Sequence, residues 1–178
     1  PAAMFEAAEV GRSVSKEQFA AQAEELQVEL LAAQRALADA NFPVIILVSG
    51  VEGAGKGSVV NRLHRWLDTR QIVTATFWDE TDEERERPRF WRFWRALPPR
   101  GRIGVLFGSW YTRPIIARVH GDIDGADFDR ELHDITEFER LLTDDGAVIV
   151  KLWFHISRET QQERLKADRK SGRHTVSP

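Results

Sequence analysis

The chain has 178 residues, 42% of them apolar and 30% charged, the makeup of one folded domain with a sizeable core rather than of a disordered or repetitive chain. Its 25 basic and 28 acidic residues give a formal charge of −3, which excludes a uniformly basic nucleic-acid coat and leaves only a local basic patch open. Cysteine is absent, so a disulfide scaffold, a thiolate metal site and a cysteine nucleophile are excluded, and we expect a cytoplasmic protein.

In chain order, Ser15 to Ala40 reads as a long amphipathic helix. Ser15 and Gln18 have the spacing of a capping box, and Phe19, Ala23, Leu26, Leu30, Ala33 and Leu37 recur as one apolar stripe. Asn41-Phe42-Pro43 ends it. Val44 to Val48 is an unbroken apolar run, as expected of a central parallel strand covered on both faces. A Gly-rich turn spans Gly50 to Gly57, and a helix follows to about Leu67. Ile72 to Trp78 is a second strand, Glu83 to Ala96 a helix closed by Pro98-Pro99, and Ile103 to Phe107 a third strand. A short helix near Pro114 to Val119, a longer one over Asp127 to Leu142, a strand over Ala147 to Phe154 and a polar helix over Arg158 to Lys170 complete the order. Alternating strands and helices predict a parallel sheet with helices on both faces. No run approaches the ~18 apolar residues of a membrane helix, and residues 1–11 lack a basic-then-apolar start, so neither a membrane span nor a signal peptide is expected.

The sharpest motif is Gly50-Val-Glu-Gly-Ala-Gly-Lys-Gly57. Gly50, Gly55 and Lys56 satisfy G-x-x-x-x-G-K, between an apolar strand and a helix. Glycines let backbone N–H groups of Gly53, Ala54, Gly55, Lys56, Gly57 and Ser58 turn inward as an anion nest, and the helix N-terminus adds partial positive charge. Lys56 would reach phosphate oxygens. Where a hydroxyl residue commonly follows the lysine stands Gly57, with Ser58 one place later. Glu52 puts a carboxylate inside the loop, suited to holding a metal or orienting an attacking oxygen. The competing reading is a Gly-rich turn with no ligand.

Of 20 arginines, seven lie between Arg85 and Arg102, with one acid, Glu86, and with Phe90, Trp91, Phe93 and Trp94 interleaved. A helix here would be basic on one side and apolar on the other. It would form a groove for a polyanion, or a solvated face over a buried aromatic stripe. Past the third strand comes Gly108-Ser-Trp-Tyr-Thr-Arg113; the strand end offers no Asp for a metal. His64, His120, His133, His155 and His174 show no ligand spacing, and Trp66, Trp78, Trp110 and Trp153 read as core residues.

These residues together resemble the polyphosphate kinase 2 family. Gly50 to Ser58 is similar to its G-x-D-A-A-G-K-G-(G/S), with Glu52 at the family's Asp and Gly57 at the family's own Gly. Ser109 to Arg113 resembles the end of F-D-R-S-W-Y-N-R. Phe138-Glu139-Arg140 with Asp145-Gly146, Lys151-Leu152-Trp153, and Ile156 to Gln161 resemble F-E-x-x-L-x-x-D-G, K-F-W and S-I-S-R-E-E-Q. The likeness runs from about Leu26 to Pro178 and is greatest to the N-terminal domain of two-domain polyphosphate:AMP phosphotransferases.

The resemblance implies an α/β, P-loop kinase-like three-layer fold with a partial helical lid, whose basic residues fall on Arg164, Lys166, Arg169, Lys170 and Arg173. It divides the chain into an extension and long helix over residues 1–40 and a P-loop domain over 41–178, shortened at its C-terminus. It implies Mg2+-dependent phosphoryl transfer between inorganic polyphosphate and a nucleotide, AMP or ADP foremost, with a second such domain or a further copy as partner and no membrane or nucleic acid. Glu52, Lys56, Arg92 and Arg113 are then the catalytic candidates, and Glu52 the metal ligand. Arg92 lies where the family keeps an arginine before its Leu-Pro turn, here Leu97-Pro98. The family's Asp-Arg pair before Ser-Trp-Tyr falls on Phe107-Gly108. Hence a second reading stands beside the first: a catalytically degenerate domain that binds phosphate or supports a partner domain. An ATP-dependent small-molecule kinase is a third.

Overall fold

The structure is a computed structural model that describes residues 13–170. The first helix, α1 (Lys16–Ala38), starts at the expected box: Ser15 Oγ accepts the Gln18 N–H and Gln18 Oε1 accepts the Ser15 N–H, both at 3.1 Å. It is followed by β1 (Val44–Gly50), α2 (Lys56–Trp66), a 3-10 turn (Thr69–Gln71) and β2 (Ile72–Thr76). Two single-turn helices, α3 (Asp82–Arg85) and α4 (Trp91–Trp94), precede β3 (Ile103–Phe107). The chain continues through α5 (Thr112–His120), α6 (Gly125–Asp144), β4 (Val148–Phe154) and α7 (Arg158–Lys170).

The four strands form one parallel sheet in the order β2-β3-β1-β4. β1 is central, with Val48 opposite Phe107 on one side and Leu152 on the other. Its alternating side chains feed two cores, as a strand covered on both faces must. Ile45 and Leu47 pack with Leu106, Phe93, Ile135 and Phe138, under α4 and α6. Val48 packs with Val105, Val60, Leu67 and Leu37, under α2 and the end of α1. The result is the expected three-layer α/β fold. All four strands end at one edge of the sheet, and the Gly-rich loop leaves β1 there, where open parallel sheets hold their ligands.

Three expectations are corrected. Glu83 to Ala96 is not one helix: Pro88, which lacks an N–H and biases Arg87 away from helical geometry, separates α3 from α4. Phe90 and Phe93 of this segment turn inward, while Trp94 packs one edge and stays half-exposed. Phe90 stacks on Phe138 at 4.4 Å, Trp94 meets it edge-on at 5.3 Å, and Phe93 meets Trp110 at 5.5 Å. On α1 only Gln34 and Leu37 are buried, while Phe19, Leu26 and Leu30 stay open; the packing of α1 is mainly against α2. Finally, Trp110 is core, but Trp78 and Trp153 are half-exposed, the latter because β4 is an edge strand.

Candidate functional site

The loop has the geometry of an anion nest. Gly50, Gly53 and Gly55 have φ of +133°, +75° and +93°, values side chains resist. At Gly50 there is a second reason for glycine: a Cβ would lie 2.0 Å from the Phe154 carbonyl oxygen, so β1 could not lie against the end of β4. Gly55 caps α2 with no side-chain acceptor, so among the described residues the first N–H groups of α2, those of Lys56, Gly57 and Ser58, have no side-chain capping partner. Lys56 is buried, and its Nζ donates to the Gly50 carbonyl at 2.6 Å. Burial pushes its pKa below the ordinary value of 10.5, opposed by the Glu52 carboxylate. Glu52 itself is exposed at the mouth.

A cavity of about 240 Å3 opens onto the loop, lined by Ser49, Glu52, Lys56, Gly108, Thr112 and Trp153 among others. Beside it lies a cleft of about 380 Å3 that holds Arg85, Arg89, Arg92 and Arg113 with Phe77 and Phe90. Thr112 and Ile116, at the start of α5, line both. The predicted residues therefore separate: Glu52 and Lys56 sit at the loop, whereas Arg92 and Arg113 sit in the neighbouring cleft.

Most of the basic segment is tied down. Of its seven arginines, five have carboxylate partners among the described residues: Arg85 with Asp82, Arg87 with Glu83, Arg89 with Glu131 and Asp134, Arg92 with Glu84, and Arg100 with Asp145. Arg92 is mostly buried; its Nη2 donates to the Trp78 carbonyl at 2.8 Å and its guanidinium lies 5.2 Å from the Phe77 ring. Arg113 shares Glu131 with Arg89, at 3.0 Å and 2.8 Å. The carboxylates come from α3 (Asp82, Glu83, Glu84), from α6 (Glu131, Asp134) and from its C-cap, Asp145; the pairs to Glu131, Asp134 and Asp145 span 42 to 45 residues, beyond what local spacing reveals.

Glu139 is a residue whose motif was visible and whose role was not. One of its oxygens accepts Trp110 Nε1–H at 3.0 Å and Tyr111 O–H at 2.9 Å; the other accepts Lys151 Nζ at 2.7 Å. It thus joins the Ser-Trp-Tyr, Phe-Glu-Arg and Lys-Leu-Trp stretches. Burial and the bond to Glu139 raise the Tyr111 pKa. The turn so fixed carries Ser109, whose hydroxyl lies 2.9 Å from that of Ser49 at the start of the loop. Gln161 and Arg164 of α7, also without a predicted contact, donate to the carbonyls of Glu52 and Gly53, both at 3.0 Å. Of the basic residues expected on a lid, Arg173 lies outside the described residues, and of Arg169 and Lys170 only the backbone is described.

At the end of β3 the partly buried Phe107 side chain packs against the core cluster that holds Val48 and Val105, and Gly108 has a φ of +79°. Among the described residues no three His, Asp or Glu side chains converge on a metal position, and Glu52 is the one acid lining the loop cavity. That donor set fits a hard cation that keeps its waters and shares phosphate oxygens, not one caged by protein. No described helix is long and apolar enough to cross a membrane.

The polyphosphate kinase 2 (PPK2) family profile matches residues 13–175. A polyphosphate:AMP phosphotransferase of Pseudomonas aeruginosa is 49% identical over 173 residues, 97% of this chain and 35% of that protein. Another, of Pseudomonas syringae pv. tomato, is 40% identical over 178 residues, 98% of this chain and 36% of that protein. The crystal structure of polyphosphate kinase 2 from Arthrobacter aurescens matches with a TM-score of 0.85 at 28% identity, covering 95% of this chain and 62% of that one. The chain spans about a third of the length of the curated relatives it matches. The loop at the end of β1, the parallel sheet behind it and a profile match over nearly all of the residues agree: this chain belongs to the polyphosphate kinase 2 family.

Proposed function

We propose that the chain transfers phosphoryl groups between inorganic polyphosphate and a nucleotide, AMP or ADP foremost, with Mg2+, in the cytoplasm. The observation that carries this is the loop: three left-handed glycines, an uncapped helix N-terminus and a buried lysine, beside a cleft holding four arginines. Backbone N–H groups from Gly53 to Ser58, with Gly50 permitting the turn, bind polyphosphate oxygens, that of Ala54 by leaving the Val51 carbonyl. Lys56 leaves the Gly50 carbonyl for an oxygen of the transferred group and neutralises its developing charge. Arg113 exchanges Glu131 for an incoming phosphate, and Arg92 supplies fixed positive charge in the cleft. In the transfer, an oxygen of the nucleotide's terminal phosphate forms a bond to the end phosphorus of polyphosphate. The phosphoanhydride P–O bond breaks and leaves polyphosphate one unit shorter. Glu52, with phosphate oxygens, would hold Mg2+, which when bound offsets phosphate charge.

The test is transfer from long-chain polyphosphate to AMP, ADP and GDP with Mg2+, beside Lys56→Ala. Turnover that the variant lacks supports the kinase. A second reading, a degenerate phosphate-binding domain, is favoured by Phe107, an apolar side chain packed where the family has its carboxylate. It expects no turnover, retained polyphosphate binding, and activity gained by the double variant Phe107→Asp, Gly108→Arg. No gain from that variant counts against it.

A further inference from the structure

The loop's carbonyls are gripped from a helix far away in sequence. Gln161 Nε2 donates to the Glu52 carbonyl across 109 residues, and Arg164 Nη1 to the Gly53 carbonyl across 111. A trans peptide is planar, with the C=O of one residue and the N–H of the next pointing opposite ways. Holding the Glu52 oxygen therefore aims the Gly53 N–H, and holding the Gly53 oxygen aims the Ala54 N–H. The Ala54 N–H closes a turn onto the Val51 carbonyl at 3.3 Å. Upstream, the Gly50 carbonyl takes Lys56 Nζ and the Val51 N–H donates to Phe154 at 3.0 Å. Every carbonyl from Gly50 to Gly53 thus has a donor, and two of those donors come from α7.

Glycine-rich backbone has little preference of its own, so its peptide planes stay in one orientation only where outside groups hold them. α7 is seated for that. A Cβ at Gly53 would lie 3.8 Å from Arg164 Cβ and 4.0 Å from Leu165 Cδ2, and Ile156, just before α7, closes the same spot at 3.9 Å. We infer that Gln161 and Arg164 are positioning residues for the phosphate nest: they fix the Glu52–Gly53 and Gly53–Ala54 peptide planes, so the loop's affinity for phosphate depends on how α7 is seated. This rests on the loop being a phosphate site.

The experiment is calorimetric titration of inorganic tripolyphosphate into the full chain, in low and high salt, for wild type, Gln161→Met, Arg164→Met and Arg164→Lys. Backbone amide NMR spectra are recorded without ligand. Losing one such hydrogen bond should weaken binding about 5-fold in each Met variant. Arg164→Lys, which keeps a donor, restores most of it. The amide resonances of Gly53 and Ala54 should shift in the Met variants before any ligand is added, with thermal midpoints near wild type, since Arg164 is exposed and Gln161 half-buried. Wild-type binding that neither Met variant weakens overturns the inference and leaves the phosphate loop standing. A loss in Arg164→Met that vanishes in high salt, with unmoved amide resonances, assigns Arg164 to direct phosphate contact and overturns its positioning role. Absence of wild-type binding overturns the loop reading and this inference together.

Discussion

Truncating Glu139 to alanine removes the acceptor on which three donors converge. Trp110 is 2% exposed, so its indole N–H would be left buried without a partner, at about 1–3 kcal/mol. Tyr111 loses one hydrogen bond, about 1 kcal/mol, and keeps Lys151 Nζ at 3.2 Å. The ion pair adds less than about 1 kcal/mol, because the Lys151 side chain is 52% exposed and water screens it. The sum is about 3 kcal/mol, or roughly 10 °C in Tm for a domain of this size. Glu139→Gln keeps the oxygen that Trp110 and Tyr111 use and should lose less than about 1 kcal/mol. Urea unfolding followed by tryptophan fluorescence gives both values, and a double-mutant cycle with Trp110→Phe isolates the indole bond. If Glu139→Ala stays within about 0.5 kcal/mol of wild type, the shared carboxylate does not hold these elements together. If Glu139→Gln loses as much as Glu139→Ala, charge rather than the hydrogen bonds is responsible.

Further predictions concern the loop and the cleft. Gly50→Ala should cost about 3 kcal/mol or more, since its Cβ meets the Phe154 carbonyl at a φ of +133°, whereas Gly57→Ala, with nothing within 4 Å, should gain about 0.5 kcal/mol; chemical denaturation compares them. The Lys56 amine has a folded pKa below 10.5, so native protein binds fewer protons than unfolded protein between the two values, and this amine's contribution to stability rises with pH through that window. Phosphate favours its charged form. Tripolyphosphate affinity should therefore fall as pH rises toward the ordinary lysine value of 10.5, by titration calorimetry, and fall less in Lys56→Arg. Arg92→Met should lose about 2 kcal/mol on denaturation, by leaving the Trp78 carbonyl and the mostly buried Glu84 without their cation; equal stability would show that these contacts do not anchor the turn before α4.

What the sequence determined by itself are features set within a few residues of each other. The Ser15–Gln18 box, the apolar run of β1, the span of β3 and the spacing of Gly50, Gly55 and Lys56 are all local, and each is found where chain order predicts it. Local capping and side-chain periodicity need no knowledge of the rest of the chain. Tertiary structure decided the remainder. Pairing of Arg89 with Glu131 spans 42 residues, of Trp110 with Glu139 29, and of Gln161 with the loop 109. No periodicity encodes such distances; the packing of α6 and α7 on the sheet creates them. For the same reason a run of seven arginines, which sequence alone leaves open as a polyanion groove or a solvated face, is mostly paired with carboxylates, and of its aromatic residues Phe93 is core while Trp94 stays half-exposed. The charge of a segment is written in its sequence, but the field it presents depends on the partners that folding brings against it.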